Sequence, residues 1–382
     1  MRKLSETVAH LAAIRTGMAH APFDTPGGRL QALTDFGSNP GNLAASVHLP
    51  ARWAESRALV VVLHGCTQTA AGYDHGSGWS RLADEHGFAL LFAEQRRTNN
   101  PNLCFNWFSP QDTARDSGEA LSIRQMVAAV VDSHAIDPTH IFVTGLSAGG
   151  AMTSVMLATY PELFAGGAII AGIAYGIAAN MSQALEAMGG RGAGHRAADL
   201  AAPVRGASGH EGRWPTVSVW QGTADTTVSP ANADAILAQW LSIHGIAGEA
   251  IEQEMVAGHP RRVWRDKDGR AVIEDYRITG MGHGTPLATS GEAACGATGP
   301  HMLEAGISST RRIAAHWGLT GSIPAEAGAH PDEEEAIATQ PATWPPLRPK
   351  RIPTAPSSEP VPILSGVHKV IEEALRAAGL MR

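Results

Sequence analysis

The chain has 382 residues, of which 44% are hydrophobic and 17% charged, and its formal net charge is −7. That length suffices for one large α/β domain with an appendage, or for two domains. The mild acidity, with no Lys/Arg-rich amphipathic stretch, gives no footprint for nucleic acid or an anionic membrane.

Three cysteines, Cys66, Cys104 and Cys295, are too few for a disulfide scaffold and lack metal-ligand spacing. The 17 histidines are scattered, without His-Glu-x-x-His, so no metal site is expected. Residues 1–27 read as an N-terminal extension. Its basic start runs into polar and acidic residues and not into an apolar leader core. No run reaches the roughly 18 apolar residues of a membrane span. As written, the chain reads as cytoplasmic.

Asn42 to Pro50 predicts an early strand. Ala58-Leu-Val-Val-Val-Leu63 is continuously apolar and β-branched, as a strand buried on both faces of a parallel sheet reads. Trp79 to His86 predicts a helix capped by Gly87. Phe88 to Ala93 is another short strand, and a polar loop carries Asn99 to Phe108. Asp116 to Asp132 predicts a long helix with Leu121, Met126, Val127, Val130 and Val131 along one side. Asp137-Pro138 then turns the chain into the strand Ile141-Phe142-Val143. Strands alternating with helices in this way predict a doubly wound, mostly parallel sheet with helices on both faces.

Further on, Ala168 to Ala171 predicts a strand. Residues 180–212, rich in Gly, Ala, His and Arg, suit a lid or insertion. Thr216 to Trp220 is a strand, Ala231 to Leu241 a helix and Val272 to Ile278 a late strand, and a helix over Met302 to Trp317 closes the domain. The domain spans residues 28–320. Residues 321–362 read as a proline-rich linker with an acidic run at Asp332 to Glu335. Residues 363–382 read as an amphipathic helix, apolar along Leu364, Val367, Val370, Ile371, Leu375 and Leu380. It either docks on the domain or attaches it to a hydrophobic surface. No internal repeat is present.

The stretch Thr144-Gly145-Leu146-Ser147-Ala148-Gly149-Gly150 carries the chemistry. Strand, Gly-x-Ser-x-Gly, helix is the context of a nucleophile elbow, in which a tight turn lifts a serine hydroxyl out of the sheet. A serine hydroxyl needs a base, and the base an orienting acid, in the chain order Ser, Asp or Glu, His on later strand ends. Asp225, after the strand at Trp220, and His283, after the strand at Ile278, hold those positions. Asp234 and Asp275 compete, but lie inside a helix and a strand. The oxyanion of acyl transfer needs two fixed donors. The backbone N–H groups of Ala148 and of Cys66, in the loop His64-Gly65-Cys66, are the candidates. Phe105 and Trp107 are candidates for an apolar substrate wall, with packing under their loop as the alternative. Cys66 and Cys104 sit in loops that can meet; a bridge there is disfavoured in a reducing cytoplasm.

Taken together, His64-Gly-Cys-Thr-Gln68, Cys104-Phe-Asn-Trp-Phe108, Gly145-Leu-Ser-Ala-Gly-Gly150, Gly222-Thr-Ala-Asp225 and Gly280-Met-Gly-His-Gly-Thr-Pro286 resemble the type 1 catalytic domain of short-chain-length polyhydroxyalkanoate (polyhydroxybutyrate) depolymerases, over roughly residues 28–320. The resemblance implies an α/β-hydrolase fold, a triad of Ser147, Asp225 and His283, and Cys66 with Ala148 at the oxyanion hole. It also implies hydrolysis of a hydroxyalkanoate polymer or oligomer without a cofactor; a polymer granule surface is a further candidate partner. Feruloyl- and acetylxylan-type esterases in the same family are the alternative, and an inactive binding protein is the reading of another class. Secreted members carry a leader and a substrate-binding domain, so the family makes extracellular location the alternative to a cytoplasmic one.

Overall fold

A run such as Leu59-Val-Val-Val-Leu63 has no polar face to offer water. In the computed structural model, which describes residues 28–321, all five side chains are fully buried. The expected N-terminal extension, the C-terminal helix and all of the linker but its first residue lie outside the described residues.

The strands are β1 (Gln31–Ala32), β2 (Ala44–His48), β3 (Leu59–Leu63), β4 (Ala89–Glu94), β5 (Ile141–Leu146), β6 (Gly166–Ile170), β7 (Thr216–Gly222), β8 (Glu252–Val256), β9 (His259–Arg265), β10 (Ala271–Ile278), β11 (Thr285–Leu287) and β12 (Met302–Glu304). The helices are α1 (Ala70–Ser77), α2 (Trp79–His86), α3 (Pro110–Thr113), α4 (Gly118–His134), α5 (Ala148–Thr159), α6 (Met181–Met188), α7 (Ala197–Ser208), α8 (Ala231–His244) and α9 (Ser309–His316). Ten strands form one sheet in the order β1-β2-β4-β3-β5-β6-β7-β10-β9-β8. Its centre, from β4 to β10, is parallel, and both edges are antiparallel.

Alternation along β3 builds a core on each face. Leu59, Val61 and Leu63 join a cluster with residues of α4, α5, α7 and α8, whereas Val60 and Val62 join one with residues of α2 and α9. Burying each large aliphatic side chain contributes about 1.5–3 kcal/mol, so the two faces hold β3 in register. From β3 the chain first crosses to β4 on one side, then returns to β5 on the other. This reversal opens a crevice beyond the carboxyl ends of β3 and β5, where ligands bind in open α/β sheets.

Two expectations change, and one hairpin was not expected. The closing helix over Met302 to Trp317 divides: its first residues form β12, paired in parallel with β11, and the helix begins only at Ser309, capped by the Ser308 hydroxyl. The segment 180–212 is not one lid. Leu200, Ala201 and Val204 of α7 are buried in the main core, whereas Ala187 of α6 packs with Ala151, Ile173 and Val228. The hairpin β8–β9 was absent from the sequence pattern.

Candidate active site

Ser147 follows the last residue of β5 and precedes the first of α5, at φ 57° and ψ −115°. A non-glycine residue rarely holds this conformation, and strain of this kind persists only when the surroundings enforce it. Here the Ser147 N–H donates to the Ile170 carbonyl at 2.9 Å, and its own carbonyl accepts from Ala151 N at 2.8 Å. Glycines let the three backbones meet. A Cβ on Gly145 would lie 2.5 Å from the Gly149 carbonyl oxygen, and one on Gly149 would collide with the Leu63 carbonyl.

Asp225 and His283 come together, 58 residues apart in sequence: His283 Nδ1 donates to Asp225 Oδ2 at 2.7 Å. That bond fixes the tautomer and leaves Nε2 as the proton acceptor. The other Asp225 oxygen accepts from the backbone N–H groups of Thr227 (2.8 Å) and Val228 (2.9 Å), and Gln221 Nε2 donates to Oδ2 at 3.1 Å. Burial alone would raise the Asp225 pKa. The His283 hydrogen bond and charge, with the two backbone donors, outweigh it and hold the carboxyl below its usual range. The competitors are engaged elsewhere. Asp275 is bound by Arg262 and Arg277, and Asp234 by Arg277.

Beside the elbow, His64 is fully enclosed. Its Nδ1–H donates to the Gly65 carbonyl at 2.7 Å, and its Nε2 accepts from Gln95 N at 3.1 Å. Burial pushes its pKa down to about 4, so it is a neutral strut. Cys66 and Cys104 are joined by a disulfide, and Thr67 N donates to the Asn102 carbonyl at 2.7 Å. The Cys66 loop is therefore pinned to the 100–108 loop. Ala148, buried at the first position of α5, places its N–H at the start of a helix, where the dipole favours negative charge.

The two aromatic candidates separate. Phe105 is fully buried, with its ring 5.1 Å from that of His64, so it packs inside the core and forms no wall. Trp107 is half-buried against Ala151, Ile173, Ala187 and Val228, between the elbow helix, α6 and the Asp225 loop. Sequence reasoning missed Gln221 and His301. His301 holds a left-handed φ of 61°, and its Nδ1–H donates to the His283 carbonyl at 3.1 Å. No sequence signal marks a histidine in that conformation. The Gln221 position, four residues before Asp225 at a buried strand end, was visible. Among the described residues, no group of three or more His, Cys, Asp or Glu side chains could hold a metal ion, and no helix is long and apolar enough to cross a membrane.

A mostly parallel sheet with a serine elbow at its switch point defines an α/β-hydrolase. Residues 43–262 match the family described as Esterase PHB depolymerase. Poly(3-hydroxyalkanoate) depolymerase C of Paucimonas lemoignei is 44% identical over 294 residues, which span 76% of this chain and 70% of that protein. A probable acetylxylan esterase A of Aspergillus clavatus is 30% identical over 266 residues, 68% of this chain and 85% of that one. Among solved structures, an acetyl xylan esterase from Aspergillus awamori superposes with a TM-score of 0.64 at 26% identity, covering 77% of this chain and all of that one. The chain belongs to the esterase PHB depolymerase family and is a carboxylic ester hydrolase.

Proposed function

We propose that Ser147, His283 and Asp225 form a catalytic triad that hydrolyses ester bonds of short-chain polyhydroxyalkanoate polymers or oligomers. His283 Nε2 takes the Ser147 proton as Oγ attacks the ester carbonyl. The N–H groups of Ala148 and Cys66 receive the developing oxyanion. Collapse of the tetrahedral intermediate breaks the ester C–O bond, and His283 returns the proton to the leaving alkoxide. Water, deprotonated by the same imidazole, then cleaves the acyl-enzyme. Trp107, half-buried beside the elbow helix, supplies an apolar wall for the acyl or polymer chain. The observation that carries this reading is the 2.7 Å His283–Asp225 bond, on loops that follow β10 and β7 in the same sheet as the strained Ser147.

Polyester is favoured over other esters by the 44% identity to a depolymerase. The acetylxylan alternative is fitted by relatives named acetylxylan esterase that are 30–33% identical and by a shared fold. The Cys66–Cys104 bridge supports an oxidising compartment over the cytoplasm. The test is a substrate panel on purified protein: short p-nitrophenyl esters, hydroxybutyrate oligomers, amorphous polyhydroxybutyrate and acetylated xylan, each with wild type and Ser147→Ala. The reading expects polyester and oligomer turnover by wild type, and loss of turnover and of fluorophosphonate labelling in the variant. Turnover of short esters by Ser147→Ala at near wild-type rate removes the triad. Turnover of acetylated xylan but not polyester moves the substrate.

A further inference from the structure

Glu119 is a charged-type residue with a fully buried side chain, in the first turn of α4, and the triad does not use it. Burying a carboxyl is costly unless donors surround it. Three do. Its Oε1 accepts from Gln95 Nε2 (2.5 Å) and from Asn106 Nδ2 (2.8 Å), and its Oε2 accepts from Asn106 N (2.8 Å).

Each partner leads to the loops beside Ser147. Gln95 Nε2 also donates to the Cys104 carbonyl at 3.0 Å, and the Gln95 backbone N–H donates to His64 Nε2. Gln95 Oε1 accepts from Arg96 N and Asn99 Nδ2, which fixes the orientation of its amide. Asn106 lies two residues beyond Cys104, whose sulfur is bonded to Cys66. One carboxyl thus holds both ends of the path Gln95–Cys104–Asn106. That path reaches Cys66 by the disulfide and His64 by a hydrogen bond.

We propose that Glu119 is a positioning residue: through Gln95 and Asn106 it fixes the Cys104 loop, and through the disulfide it aims the Cys66 N–H at the oxyanion. The inference rests on the esterase reading above, because it assigns Glu119 a part in that reaction. An oxyanion donor is worth most in the transition state, when charge has moved onto the oxygen. Loosening it therefore lowers kcat and leaves KM nearly unchanged. A carboxyl that merely fills the core would move thermal stability and neither kinetic constant.

The experiment uses the full chain with Glu119→Gln. This change keeps Oε1 for two donors and sets an amide N–H2 against Asn106 N. After thermal melting establishes a folded protein, kcat and KM are measured on a p-nitrophenyl ester above pH 8, where the native carboxyl is ionised, and well below the melting temperature. Thiol release from the Cys66–Cys104 bridge under mild reductant is timed separately. Glu119→Gln is expected to lose about ten- to a hundredfold in kcat, with KM within about threefold, and to release thiols faster. Should it fail to fold, Asn106→Ala, which leaves the carboxyl in place, is expected to give the same split at smaller size. A folded Glu119→Gln, or in its stead Asn106→Ala, with kcat within twofold of wild type overturns the positioning role alone. A wild type that hydrolyses no ester overturns the esterase reading and the role together.

Discussion

The two sides of the site are held by different physics. On the elbow side, β3, β5 and α5 meet backbone to backbone at Gly145 and Gly149, and a disulfide ties the Cys66 loop to its neighbour. On the acid–base side the constraint is mainly hydrogen bonding by side chains. Asp225 collects four donors, from Gln221, Thr227, Val228 and His283, and the His283 carbonyl accepts one from His301. A steric and covalent frame fails as a fold when altered. A hydrogen-bonded pair fails as chemistry while the backbone stays. Substitutions at the backbone contacts should therefore cost stability first, and those of the hydrogen-bonded pair turnover.

The sharpest test of that contrast is Asp225→Asn. The amide keeps the shape but offers a donor to His283 Nδ1, which favours the wrong imidazole tautomer. The expected loss is about 10⁴ in kcat, the scale for this change in a serine triad, with a melting temperature shifted by only a few degrees. A large loss of stability with modest loss of turnover would erase the distinction.

Gly149→Ala probes the other side. A methyl group there meets the Leu63 carbonyl, and neither backbone can retreat without breaking the pairing of β3 with β5. The expected cost is about 4 kcal/mol or more of stability, in the range reserved for a few mechanisms such as strain and overpacking. It is read as low soluble yield or a melting temperature lowered by ten degrees or more. A Gly149→Ala protein that melts like wild type but is inactive would place this glycine in the chemistry and not the frame.

Next in size is the bridge. Cys66 and Cys104 are 38 residues apart, and closing a loop of that length stabilises by about 4 kcal/mol. Replacing both with serine should cost that amount in a denaturant titration, and should lower kcat because the Cys66 loop is freed. Unchanged stability would show that the loops are held by Thr67–Asn102 and the Glu119 network alone.

The same contrast governs what was legible in the sequence. The elbow was readable because its steric demand is written as residue types: two glycines around a serine, after a β-branched run and before helix formers. The capping of α2 by Gly87, at φ 79°, was readable for the same reason. Asp225 and His283 were readable as residues just past strand ends, although their 2.7 Å contact was not. The hairpin β8–β9 was hidden because it is held partly by charge. Glu252 pairs with Arg265, and Glu254 with Arg261, so no apolar alternation marks it. Phe105 and Trp107 look alike in sequence, and only the fold shows that Phe105 is buried beside His64. The division of the expected closing helix turned on Met302 pairing with Thr285, a long-range contact that local periodicity does not carry. Glu119 lies in the first turn of a helix, and nothing local in the sequence announces that it is buried.

The smallest expected effect is on stability against pH. Burial lowers the His64 pKa from 6.5 to about 4, against the opposing Gly65 hydrogen bond. Between those values the unfolded chain binds a proton that the folded chain does not, so stability rises with pH there. This contribution is complete above about 6.5 and is lost as pH falls towards 4. Asp225, with its carboxyl held low, acts in the same direction. Its contribution is present above the unfolded carboxylate pKa and disappears as pH falls through the folded value. Glu119 acts oppositely. Burial raises it from 4.5 to about 8, so the folded state holds an extra proton in that interval. Its contribution is complete below 4.5 and is lost as pH rises towards 8. The melting temperature is therefore expected to fall on the acid side through His64 and Asp225, while Glu119 works against stability as the pH rises towards 8. His64→Gln, which keeps an acceptor for Gln95 N, should flatten the profile between pH 6.5 and 4 by a few degrees, and Glu119→Gln should flatten it between 4.5 and 8. If His64→Gln leaves the acid slope unchanged, the slope belongs to the other groups that act in the same direction, Asp225 and His244, the latter also lowered by burial to about 4.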